Sequence, residues 1–111
     1  MKLQAKQYRI KKRKEIQFLF RDGLRWNCDI FLILYKMNIL KNDRFAVIVS
    51  KKNGQAVERN KIKRIIRQTF RENIKNTPPF FDILIKPMGK FLVSTQEIQK
   101  NYQLWQTMVK K

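Results

Sequence analysis

The stretch Lys51-Lys52-Asn53-Gly54-Gln55-Ala56-Val57-Glu58-Arg59-Asn60-Lys61-Ile62-Lys63-Arg64-Ile65-Ile66-Arg67-Gln68-Thr69-Phe70-Arg71 carries eight basic residues and one acid. From Val57 onward Ile62, Ile65, Ile66, Thr69, Phe70 and Asn73 recur at helical spacing, which predicts a helix over 57–73 with one stripe turned to a core. At about 100° per residue, Asn60, Lys63, Arg64, Arg67 and Arg71 fall together on the other side. Surface helices ordinarily mix signs so that residues four apart pair, and this one has almost no acids to pair with. An isoleucine stripe backing a dense cationic face suits a helix that lies along a polyanion. Gly54 supplies a turn before the helix, and Pro78-Pro79 bar its continuation.

Working outward, residues 12–21 predict a short helix with Ile16, Leu19 and Phe20 on one face and Asp22-Gly23 as its stop. Phe18 points elsewhere, either as a satellite packing residue or as an aromatic on which a base stacks. Residues 24–27 allow a short strand. The apolar runs 30–36 and 44–50 read as strands joined by the turn-rich segment 38–43, and are expected to form an antiparallel pair. Phe31, Ile33 and Tyr35 share one face of the first run, and Ile30, Leu32 and Leu34 the other. Both faces are apolar, so both should be covered, one of them only in part. Residues 80–86 predict a further strand closed by Pro87. Ser94 with Glu97 reads as a capping box before a last helix bearing Ile98, Tyr102, Trp105 and Val109. The expected fold class is α+β: a two-layer sandwich of a small, mostly antiparallel sheet with helices.

At 111 residues the chain is expected to be one RNA-binding domain, with residues 1–11 as a basic, partly mobile arm. The 26 Lys and Arg against 8 Asp and Glu give a formal charge of +18, which calls for a polyanionic partner. The apolar runs are too short to span a bilayer and no signal peptide is evident, so a cytoplasmic protein with no membrane partner is expected. With no histidine and a single cysteine, Cys28, neither a Cys/His zinc site nor an intrachain disulfide is available. The acids are scattered, no glycine loop cradles phosphate, and no catalytic or metal-ligating group stands out.

The order of elements and the string Ser50 to Arg67 resemble the protein component of bacterial ribonuclease P, whose signature runs Ser-Lys-Lys-x-Gly-x-Ala-Val-x-Arg-Asn-Arg-x-Lys-Arg-x-x-Arg. Arg9-Ile10-Lys11-Lys12 ahead of a helix ending in Phe20 resembles that family's N-terminal segment. Two positions depart from the pattern: Lys61 stands for the second arginine of Arg-Asn-Arg, keeping charge but losing the bidentate fork, and Ile16 stands where an aromatic is frequent.

The resemblance implies an αβββαβα fold like domain 2 of ribosomal protein S5. It also implies a subunit that binds the catalytic RNA and the 5′ leader of precursor tRNA, and promotes magnesium-dependent removal of the leader. The catalytic site belongs to the RNA, and Mg2+ is bound mainly by RNA and substrate. Lys51, Lys52, Arg59, Asn60, Lys61, Lys63, Arg64, Arg67 and Arg71 are the expected contacts to the RNA subunit, with a local ion pair open as an alternative for Arg59. Ile16, Phe20, Phe31, Ile33 and Tyr35 are the expected lining of the leader cleft, with ordinary core as the competing role for each. No DNA partner is expected, since a helix-turn-helix needs a helix where 44–50 alternates like a strand. A ribosomal RNA-binding protein and a protein-only nuclease are the remaining rivals.

Overall fold

The computed structural model describes residues 8–89 and 94–110. Residues 1–7 of the expected basic arm lie outside the described residues. The elements run α1 (Arg13–Asp22), β1 (Leu24–Asn27), β2 (Phe31–Met37), β3 (Arg44–Val47), α2 (Ala56–Glu72), β4 (Phe81–Pro87) and α3 (Thr95–Val109). This is the αβββαβα order of an α+β fold. Of the capping box expected before α3, the structure shows the serine half, with the Ser94 side chain accepting the Glu97 N–H. No helix among the described residues is long and apolar enough to cross a membrane.

The strands pair in the order β1-β2-β4-β3. The expected antiparallel pairing of β2 with β3 is therefore corrected: β4 lies between them, antiparallel to β2 and parallel to β3. The reason is burial on both faces. Ile83, Leu84 and Ile85 are all fully buried, so the strand that carries them takes an interior place, and the shorter β1 and β3 flank the pair. Arg9 bridges in parallel to Phe45 and the Ile10 N–H donates to the Phe45 carbonyl, so the described end of the arm is docked along β3.

Alternation along the strands splits the core in two. Phe31, Ile33, Tyr35, Phe45, Val47, Phe81, Ile83 and Ile85 meet Ile62, Ile66 and Phe70 of α2 and Ile98, Tyr102 and Trp105 of α3. Phe70 stacks on Tyr102 at 3.9 Å between ring centroids, and Trp105 packs edge-on to Tyr35 and Phe81. Burying each such ring stabilises the fold by about 1.5–3 kcal/mol. On the other face Leu32, Leu34, Ala46 and Leu84 meet Leu19 of α1 and Ile10, with Ile16 and Ile48 partly buried at the margin.

Three ion pairs, two on Arg44 and one on Lys110, tie the elements together. The Arg44 guanidinium donates to both oxygens of Asp82 at 2.9 and 2.8 Å and to Glu15 at 2.7 Å, fastening α1 to the sheet. These carboxylates hold the guanidinium well above its ordinary range. At the far end of the chain, Lys110 Nζ lies 2.9 Å from Asp43 Oδ2, both side chains fully buried. The same ammonium donates to the carbonyls of Thr77 and Pro79 at 2.8 and 2.9 Å. Asp43 Oδ1 accepts the Phe81 N–H at 2.7 Å, and burial pushes its carboxyl up despite Lys110.

Candidate nucleic-acid interface

The cationic stretch divides into a turn and a helix. Lys51–Asn53 form a single 3-10 turn, and Gly54 reverses the chain at φ 113°, a region closed to residues with a Cβ. Asn53 holds that turn to the sheet: its buried side chain accepts the Ser50 N–H and donates to the carbonyls of Pro87 and Gly89. Asn53→Ala removes three hydrogen bonds and leaves the buried Pro87 carbonyl without the Asn53 donor. It is expected to lower stability by about 2–3 kcal/mol in urea denaturation, against less than about 0.5 kcal/mol for exposed Lys52→Ala.

Helix α2 spends its few acids locally. Glu58 accepts the Gln55 N–H in a capping box, and Glu72 accepts from Gln68. Among the described residues none of the cations from Lys51 to Arg71 makes an ion pair. The ion pair left open for Arg59 is not formed; its Nε is buried without a partner. Asn60, Lys61, Arg64 and Arg71 are exposed, as are Lys51 and Lys52, while Arg59, Lys63 and Arg67 are half-buried. The structure thus places all nine expected contacts on the turn and α2. They form more than one patch: Arg59 and Lys51 line a cavity at the start of α2, whereas Lys63 and Arg67 turn toward β3.

That second direction leads to a groove of about 340 Å³. Ile10, Ile16, Ala46, Val47 and Ile48 supply apolar lining, and Arg9, Lys11, Lys63 and Arg67 supply four cations with no acid among the lining residues. Burial, and then the charge of Arg9, push the Arg67 guanidinium below its ordinary range. Its Nε is buried without a hydrogen-bond acceptor. An anionic group entering the groove would relieve both the repulsion and the missing acceptor. A polyanion with an apolar or aromatic portion, such as an unpaired RNA strand, matches walls of charge over an aliphatic floor.

The expected cleft lining is corrected in part. Phe31 and Ile33 are fully buried and Tyr35 nearly so, all three packed against α2 and α3 on the opposite face of the sheet. They are core. A shift of one residue along a strand exchanges the two faces, and the alternate positions Leu32 and Leu34 are the ones turned toward α1. Ile16 does line the groove. Phe20, one helical turn on, is 45% exposed on the same flank of α1 and lies outside the groove's lining. Arg9, Lys11, Ala46 and Ile48 were not singled out from the sequence as contacts. The docking of the arm against β3 brings them in, and only the basic run at 9–14 hinted at it.

Among the described residues no three His, Cys, Asp or Glu side chains gather where a metal ion could be held.

The family model described as Ribonuclease P matches residues 4–110. The ribonuclease P protein component of Phytoplasma australiense is 42% identical over 94 residues, spanning 82% of this chain and 82% of its own length. That of Thermotoga maritima is 34% identical over 82 residues, spanning 74% and 70%. Among solved structures, the RNase P protein from Thermotoga maritima superposes with a TM-score of 0.79 at 26% identity, covering 91% of this chain and 96% of that one. The Staphylococcus aureus RNase P protein gives 0.76 at 31% identity, covering 91% and 94%. A match that runs through the basic helix and nearly the whole chain, on a shared fold, has one meaning: the chain belongs to the ribonuclease P protein family.

Proposed function

We propose that this chain is the accessory subunit of a cytoplasmic ribonuclease P, binding the catalytic RNA and the 5′ leader of precursor tRNA to promote magnesium-dependent, endonucleolytic removal of the leader. The observation that carries the reading is the set of cations from Lys51 to Arg71 that make no ion pair among the described residues, continued by Arg9 and Lys11 into a groove with an aliphatic floor. The exposed residues Asn60, Lys61, Arg64 and Arg71, with Lys51 and Lys52, meet the phosphates of the RNA subunit. Counterion release supplies most of that affinity.

The groove takes the leader. Arg9, Lys11, Lys63 and Arg67 hold its phosphates, while Ile10, Ile16 and Ile48 give base faces an apolar surface. With the cations on phosphates, the aliphatic floor holds bases by stacking rather than through their edges, which suits a leader of variable sequence. The catalytic group and its Mg2+ belong to the RNA and the substrate, and the protein contributes substrate affinity and position. The test is the affinity of the reconstituted holoenzyme for precursor tRNA and for mature tRNA. The precursor is expected to bind more tightly, with the difference lost in Lys63→Ala/Arg67→Ala; equal affinity for both would overturn the leader groove.

A further inference from the structure

Helix α1 has two flanks. Ile16, at the groove, and Phe20 lie on one; Phe18 lies about 200° around the helix from Ile16, on the other. There Phe18 is half-buried, and Lys36 Nζ sits 3.9 Å above its ring centroid with the Arg21 guanidinium carbon at 5.7 Å. The ring borders a second cavity, of about 320 Å³, walled also by Lys14, Lys36, Met37, Glu15 and Asp82. That volume is in the range of small-ligand sites.

The charges around it are unequally committed. Glu15 and Asp82 both turn to Arg44, and Asn38 donates to Asp82 as well. Lys14 and Lys36 make no ion pair among the described residues. The cavity thus offers an aromatic face, an aliphatic wall from Met37, and two ammonium groups free for an anion. A solvated lysine resting on a phenyl face is held by about 0.5–1 kcal/mol, less than the 1–3 kcal/mol of base stacking, so a base displaces it at a net gain. The displaced ammonium then reaches the phosphate of the same nucleotide.

We propose that Phe18, with Lys36 and Lys14, forms a second nucleotide site that stacks one unpaired base of the precursor-tRNA leader, on the flank of α1 turned away from the groove. The proposal rests on the leader reading above.

The test uses the holoenzyme reconstituted from the full chain, with precursor tRNAs whose leaders are shortened stepwise and with mature tRNA. Phe18→Leu keeps the aliphatic packing and removes the stacking face. It is expected to weaken binding of the longer-leader substrates about fivefold or more, leaving mature tRNA and the slope of affinity against salt unchanged. Lys36→Gln, at an exposed position, should instead lower that slope by about one. Parental leader dependence retained in full by Phe18→Leu would overturn this site alone. So would an equal loss on mature tRNA, which would place Phe18 against the RNA subunit. Absence of any leader dependence in the parent would overturn the groove and this site together.

Discussion

Affinity of the chain for ribonuclease P RNA is expected to fall about 10³- to 10⁵-fold between about 50 and 200 mM monovalent salt, corresponding to about six to ten phosphates neutralised. The cations of α2 and its approach make no ion pair among the described residues, so each counterion they displace from RNA counts toward binding. Arg64→Ala and Arg71→Ala should each lower the salt slope by about one and weaken binding with little change in thermal stability. Both side chains are exposed. Titration of labelled RNA at several salt concentrations, beside thermal melts of each variant, checks both halves. A flat salt response, or a loss of melting temperature with unchanged affinity, would remove these residues from the interface.

Lys110→Met is expected to destabilise the fold by about 3–5 kcal/mol, a large part of a domain's total stability. The substitution leaves the fully buried Asp43 carboxylate with a backbone N–H and no cation, and orphans the carbonyls of Thr77 and Pro79. Asp43→Asn in the same chain removes the stranded charge while its side-chain oxygen still accepts from Phe81. The double variant should therefore be more stable than Lys110→Met alone. Urea denaturation of the three variants and the parent measures this coupling, and a cost below about 1 kcal/mol for Lys110→Met would show that the pair contributes little.

How much of this was legible in the residues follows from what each signal encodes. Helix periodicity was strong: the isoleucine stripe set α2 to within one residue at each end and the Ser94 cap set the start of α3, because burial and capping act locally. Strand partners were not, since pairing is a long-range choice; nothing near residues 31–47 announces that β4 will insert between β2 and β3. The cleft shows the same limit at the scale of one residue. The strand 31–35 is apolar on both faces, so its sequence does not state which face meets α2 and which meets α1. Position-by-position likeness to the family chose the aromatic phase, and the structure places that phase in the core. The groove was legible only in Ile16, Lys63 and Arg67, because it forms where the arm, β3, α1 and α2 meet. Asn53 gave no signal either. Its role depends on Pro87 and Gly89, more than thirty residues away.

The most direct measurement is leader release from 5′-labelled precursor tRNA by a bacterial ribonuclease P RNA at low magnesium, with and without this chain. Stimulation that requires the RNA, with no cleavage by the protein alone, is the predicted result. RNA binding without stimulation would contradict the accessory-subunit role, and cleavage by the chain in the absence of RNA would contradict the assignment of the catalytic site to the RNA.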